Sequence, residues 1–477
     1  MISRKSIFFL IFLTWFLINP PFLFASEPNS GKTKSLTLTI YNHGKALINE
    51  IREMKIETNN EPFEIIFEGV PTTIDPTSLQ VKSSSPRFRI LDQNYEYDLI
   101  NTKNLLDRYI GKKLKVAIPD LKAKEPGKFV FKEARLISNN DRPIFEIEKE
   151  IYIGSYSSLM LASIPENLRA KPALVWLVEN KGPSQQEIEV SYLAGGFNWR
   201  ADYVLKVERD NKSASLSGWV TLENHSGMTY KEVDLKLVAG ELHEAPPERE
   251  YMGKDRMLFT KKVAKEEVKE ERFFEYHLYS FPRKVTVKNK QTKQISLLQS
   301  TNFQINRILK SRNKNPYLYL SSYSGPTLKQ HPEIYLEFKN TKENGLGMPL
   351  PKGKVRAYQK SSDGSVLLIG EDRIDHTPKN EKVSLKMGEA FDITIERKQK
   401  DFEKISRDVY ETAWEIEVRN AKEEADQVIF EEYIPGDWKF VSNPDKFKKI
   451  ASNWIKTTVS IPPEGKKVVR YRVRIKY

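Results

Sequence analysis

The sequence contains no cysteine. Disulfides, iron–sulfur clusters, thiolate-bound haem and cysteine-ligated zinc are therefore excluded, and so is a lipid attached through an N-terminal cysteine. A chain of 477 residues buries enough core to fold without cross-links. Histidine is scarce: the six present are scattered, and none falls in a His-Glu-x-x-His pair. No Gly-x-Ser-x-Gly elbow occurs either. A catalytic triad assembled from distant residues stays open, because triads are defined by geometry rather than by spacing. Beyond the first 25 residues no apolar run approaches the roughly 20 residues that a membrane-crossing helix needs. Motifs for RNA or DNA binding are absent, so nucleic acid is not expected as a partner.

What is present begins with an address. Residues 1–25 have the layout of a secretory signal peptide: Arg4 and Lys5, an apolar run over 7–17, the breaker Pro20-Pro21, then the small residues Ala25 and Ser26. Cleavage is expected after Ala25, which leaves no transmembrane segment and a protein in the periplasm or at the cell surface. The net charge of +13 falls to +11 without Arg4 and Lys5. That excess reads first as a solvated, lysine-rich surface, and as attraction to anionic envelope polymers or lipid head groups in the alternative. Hydrophobic residues at 39% and charged residues at 30% describe a folded rather than a disordered chain. The length calls for roughly two to four domains, and 21 tyrosines lean the chain towards strands.

The hydrophobic pattern agrees. Residues 35–41 alternate polar and apolar, as a half-buried strand does. Further strands are predicted at 46–56, 63–67, 79–81, 88–91, 113–118, 128–137 and 144–151. One helix is predicted near 101–110, capped by Asn101 or Thr102, with Leu105, Leu106 and Tyr109 on one face and Gly111 as its stop. Residues 35–165 thus form an N-terminal strand-rich domain. From residue 171 a unit recurs: an alternating strand with an aromatic residue ends in asparagine, a polar turn follows, and a second strand begins. The strands end at Asn180, Asn224, Asn340 and Asn420. Asparagine suits such turns because its side chain bonds to the local backbone. The recurrence has no fixed period, so it is not a solenoid. The predicted fold class is all-β and multi-domain, with immunoglobulin-like β-sandwich units and one or two short helices. A central sandwich region spans 166–395 and a C-terminal sandwich 396–477. The central region carries a charged insertion at 244–275, within which 262–274 reads as a charged helix.

The stretch 192–205 organises the rest. Gly195-Gly196 is expected to bend the chain between two paired strands, because glycine inside a strand costs stability unless the backbone needs its freedom. Trp199 then faces the core, and Arg200 and Asp202 share the opposite side. These three are either a core tryptophan beside a strand ion pair or a binding surface. A second cluster is Glu371-Asp372-Arg373-Ile374-Asp375-His376. Oxygen and imidazole ligands suit divalent metals. On a strand, however, Asp372 and His376 share a face while Asp375 points away, so a polar strand end is the simpler reading. Ser30-Gly31-Lys32-Thr33 resembles the end of a phosphate-binding loop, but the glycine required at position 26 is serine and no strand precedes it. Trp438, after Pro435-Gly436, reads as a core plug or as a loop anchor. The candidate binding residues are therefore Trp199, Arg200, Asp202 and His376. No catalytic residue, metal ligand or cofactor is assigned.

Several stretches occur in an order that resembles a bacterial family known only as a domain of unknown function, number 4139, some members of which are labelled mucoidy-inhibitor-like. They are 192–205, Gly218-Trp219-Val220, Leu237-Val238-Ala239-Gly240, Tyr276-His277-Leu278-Tyr279, 345–356, Gly370-Glu371, His376-Thr377-Pro378 and Phe391-Asp392. The resemblance covers most of the mature chain and implies a strand-rich, exported protein. It brings no catalytic residues to carry over. The function expected is that of an exported, non-catalytic envelope protein that binds or scaffolds an envelope protein or an anionic glycan. The alternative is a metal- or carboxylate-dependent hydrolase of envelope glycan or peptide.

Overall fold

The structure is a computed structural model that describes residues 31–120, 127–165, 168–240, 269–274, 276–323 and 325–476. Residues 1–25, where a signal peptide is expected, and most of the charged insertion lie outside the described residues. Among the described residues there are thirty-two strands, one α-helix and two short 3-10 helices. The fold is all-β, as the period-two hydrophobic pattern requires. No helix among the described residues is long and apolar enough to cross a membrane.

The chain divides into two compact units. Of the described residues, the first holds 31–34, Ile51–Val70 and Val81–Glu189; the second holds Ser35–Glu50, Pro71–Gln80 and 190–476. In the first unit the helix Thr102–Tyr109 starts at Asn101, whose side chain accepts the Asn104 N–H at 2.9 Å and so satisfies one of the unpaired first-turn donors. Leu106 and Tyr109 pack with Val116, Leu136 and Phe145 of an antiparallel sheet. Its strand order is Ser158–Met160, Lys113–Pro119, Phe129–Ser138, Ile144–Ile147, Glu150–Tyr152. A second sheet pairs Ala173–Asn180 with Phe63–Glu68 and Phe88–Glu96, and there Trp176 is buried against Phe67 with ring centroids 5.3 Å apart.

The second unit is built on two sandwiches that share a sheet. One five-stranded sheet runs in the order Gln291–Gln304, Ser213–Asn224, Phe197–Val207, Gly353–Lys360, Val366–Ile374. Its inner face, including Ala201, Tyr203, Leu205, Leu216 and Val355, packs on Leu336, Phe338, Val383 and Leu385. Those four come from Glu333–Lys339 and Lys382–Glu389, at one end of a six-stranded sheet. That sheet continues through Asn306–Asn313, Asp426–Tyr433, Trp454–Ile461 and Lys448–Ala451. Its far end packs on a sheet that includes Ile393–Ser406, Val409–Asn420 and Lys466–Lys476, around Trp414, Ile416, Phe430 and Tyr471. The strand Ile393–Ser406 runs across residues 395 and 396, where the sequence pattern separates a central from a C-terminal region.

The recurring asparagines are buried, at no more than 2% exposed. Asn224 accepts the Ser226 N–H at 3.0 Å and donates to the Met228 carbonyl at 2.8 Å. Asn420 accepts the Lys422 N–H at 3.1 Å and donates to the Glu424 and Pro462 carbonyls at 2.8 and 3.1 Å. Asn180 accepts the Gly182 N–H, and Asn340 the Gly347 N–H, both at 3.0 Å. Each side chain thus closes the turn after its strand and satisfies backbone groups that water does not reach.

Two expectations are corrected. Lys269–Phe273 is a strand paired antiparallel with Tyr276–Ser280, not the end of a charged helix over 262–274; edge pairing overrides the helix-forming lysine and glutamate content. The strands on either side of Gly195-Gly196 are not paired with each other. Gln185–Gly195 and Phe197–Val207 belong to different sheets, so the glycines turn the chain from one sheet into the next.

Candidate functional site

The turn at Gly196 sets the site. Its φ of +79° lies in the left-handed region, and a Cβ there would come within 2.9 Å of the His225 carbonyl. The His225 N–H donates to the Gly196 carbonyl at 2.6 Å, and Gly195 exchanges bonds with Thr73 at 2.9 and 2.8 Å. The strand that leaves this turn then alternates strictly. Phe197, Trp199, Ala201 and Tyr203 face inward; Asn198, Arg200 and Asp202 face outward. Trp199 is 3% exposed and makes an edge contact with Tyr279, centroids 6.4 Å apart. It belongs to the core and takes no part in an outer surface.

Arg200 and Asp202 do stand on that surface. Arg200 Nη1 donates to Glu223 at 2.7 Å, and its Nε lies 3.6 Å from Asp202 Oδ2. The same Asp202 oxygen accepts the Thr221 hydroxyl at 2.5 Å, and Thr221 in turn accepts Gln294 Nε2 at 3.3 Å. This chain of bonds crosses three strands and holds Arg200 in place.

On the other side, Phe197–Val207 runs parallel to Gly353–Lys360, with Asp202 opposite Lys354 and Val204 opposite Arg356. Gly353 permits the close approach, since a Cβ there would collide with the Ala201 carbonyl. The next strand places Arg373 opposite Lys354 and Glu371 opposite Arg356. The result is a groove of about 490 Å³ lined by Arg200, Lys352, Lys354, Arg356 and Arg373, with Asp202 and Asp375 as its carboxylates. Glu371 bonds Lys354 at 2.6 Å and Arg356 at 2.9 Å. The Lys354 ammonium, seconded by Arg356, holds the Glu371 carboxyl below its ordinary value. Lys352 and Arg373 have no ion-pair partner among the described residues.

The candidate residues thus separate. Arg200 and Asp202 meet Asp375 in one groove. His376 lies beside it, its Nδ1 accepting the Lys352 N–H at 3.3 Å. Asp372 is spent on backbone, accepting the Arg373 and Lys386 N–H groups at 2.8 and 2.6 Å. Among the described residues no three histidine or carboxylate side chains are grouped to hold a metal ion. Lys32 and Thr33 open the strand Lys32–Tyr41 rather than a helix, so the phosphate-loop resemblance has no structural counterpart there. Trp438 is buried, and its Nε1 donates to the Ser452 carbonyl at 2.9 Å.

Sequence reasoning missed Lys352, Lys354, Arg356 and Arg373 as residues of the groove. The alternation Lys352, Lys354, Arg356 was a signal for one cationic strand face. Nothing local joined that face to Arg200. Trp219 is 39% exposed and stands directly opposite Asp202 on the neighbouring strand.

A model of the family described as "Domain of unknown function (DUF4139)" matches residues 188–477, well over half of the chain, and contains every residue of the groove. None of the curated proteins compared with the chain matches it.

Proposed function

The chain belongs to the DUF4139 family, and from that premise we propose that it is an exported, non-catalytic protein of the cell envelope that binds or scaffolds other envelope components. Export rests on the signal-peptide layout of residues 1–25, and the periplasm or the cell surface is the location it implies. The observation that carries the binding reading is the cationic groove, in which four Lys and Arg side chains on the outer face of one sheet converge with Lys352 from the residue before its strand. Positions on paired strands are rigid, which suits recognition of an anionic partner.

Two carboxylates, Asp202 in the groove and Glu371 beside it, favour binding over hydrolysis. A general acid works with its pKa raised by burial or by a neighbouring negative charge. Glu371 is shifted the opposite way by Lys354, and Asp202 is occupied by Thr221 and Arg200. The deciding experiment is a pull-down of the mature protein against envelope extract, with bound protein and glycan identified. A partner retained without turnover supports the proposal. Progressive loss of glycan or peptide, abolished by chelator or by His376→Ala, replaces it with the hydrolase.

A further inference from the structure

We infer that the outer face around Trp219 is a binding platform for an acidic polysaccharide lying across the strands, an inference that rests on the envelope-binding reading above and names its ligand. One register row crosses all five strands: Ser296, Trp219, Asp202, Lys354 and Arg373 stand opposite one another in turn. At about 4.8 Å between strands, the row is about 19 Å long, room for a short run of sugar rings.

The chemistry changes along the row. At one end Ser296 and the adjoining Gln294 and Gln299 are exposed and offer hydroxyl and amide groups, which match sugar hydroxyls in donor and acceptor character. In the middle the Trp219 indole is part-exposed, on the side of its strand where the neighbouring Ser217, Thr221 and Glu223 are polar. A flat aromatic there gives the apolar C–H face of a sugar ring a surface to stack on. At the other end stand Arg200, Lys354, Arg356 and Arg373. Arginine's planar fork fits a carboxylate bidentately, so this end takes the acid group of a uronic-type sugar.

Part of this charge is already paired: Glu371 holds Lys354 and Arg356, and Glu223 holds Arg200. Asp202 is only 17% exposed and already accepts the Thr221 hydroxyl. Its effect is to position Arg200. Lys352 and Arg373, which have no ion-pair partner among the described residues, are the cations free to meet a ligand's charge. A purely electrostatic anion site would have no use for the tryptophan, and a neutral-sugar site no use for the arginines. The two together select an acidic glycan.

The test is affinity electrophoresis of the mature full chain through gels containing polygalacturonate, with dextran as the uncharged counterpart. Polygalacturonate is expected to retard the protein in a salt-sensitive manner, and dextran to leave it unretarded. Trp219→Ala and Arg373→Gln should each weaken the retardation at least tenfold, with urea melts unchanged; both side chains are exposed, and the second variant stands if the first fails to fold. Equal retardation by dextran, no retardation by polygalacturonate, or full binding by both variants overturns the inference. So does tighter binding of single-stranded DNA or of anionic lipid vesicles. The envelope pull-down repeated with Trp219→Ala separates the two readings. If that variant still captures the wild-type partner, the platform is wrong and the envelope-binding function stands. If the wild type itself retains nothing, both fall.

Discussion

The C-terminal sandwich holds a pair of opposite charges in its interior, and removing one of them should be far more costly than removing both. Arg397 and Glu432 have side chains 2% and 0% exposed. Arg397 donates to Glu432 Oε1 from Nε at 3.1 Å and from Nη2 at 2.9 Å, and its Nη2 also reaches Ser311 Oγ at 2.6 Å. The other Glu432 oxygen faces the Tyr319 hydroxyl, which is 2.7 Å from that of Tyr471. Burial, seconded by the Glu432 carboxylate, pushes the Tyr319 hydroxyl well above its ordinary pKa, so it remains protonated. In Arg397→Met the carboxylate stays buried without its cation. The expected loss is about 3–5 kcal/mol, the usual range for breaking a buried pair. In Arg397→Met/Glu432→Leu no charge is stranded. Ser311 keeps its bond from Gln330, and Tyr319 keeps Tyr471, so the double variant should fall within about 2 kcal/mol of wild type. Urea unfolding followed by tryptophan fluorescence is the assay, since Trp414 lies in the same core. The reasoning fails if Arg397→Met costs under about 1 kcal/mol, or if the double variant is as unstable as the two single losses added together.

Three further predictions use the same melts. Trp199→Ala, which empties a buried indole site, should cost about 3–5 kcal/mol; Arg200→Ala, half-exposed on the outer face, should cost about 0–1 kcal/mol, and equal costs would contradict the inward–outward assignment. Asn420→Ala strips the Glu424 and Pro462 carbonyls of their donor and should lower stability by about 2–4 kcal/mol. Asn420→Asp should be no better, because a carboxylate would face those same carbonyls; a wild-type melt for either variant would refute the turn's role. Acid should destabilise the chain through Asp426 and Glu411. Burial opposes ionisation at both, but Lys422 at the first and Arg472 with Arg474 at the second prevail and hold the two carboxyls below their ordinary values of 3.8 and 4.5. Their contribution is complete above those unfolded-state values and lost as the pH falls through the lower folded ones. The urea midpoint should therefore hold steady near neutrality and drop as the pH falls below about 4.5, less steeply in Glu411→Gln.

Much of this architecture follows from local pattern. Alternation over two residues placed Trp199 inward and Arg200 with Asp202 outward, because a strand's side chains point to opposite faces whatever the strand pairs with. The asparagines at 180, 224, 340 and 420 marked strand ends for a reason equally local: each closes its own turn. The cap at Asn101 is of the same kind. A charged segment such as 269–273 misled because its composition favours a helix, whereas its partner Tyr276–Ser280 makes it a strand.

Pairing was beyond local pattern. Arg200 and Asp202 meet Lys354 and Arg356 only because strands about 150 residues apart run parallel in one register. Trp219 meets Asp202 through another pairing, and Arg397 meets Glu432 across two packed sheets. The sequence by itself determined the all-β class, the alternation that points Trp199 inward and Arg200 outward, and the asparagine-closed turns. Only the tertiary structure decided which strands are neighbours, because register is settled by the packing of whole faces, and a shift of one residue would turn every side chain of the groove into the core.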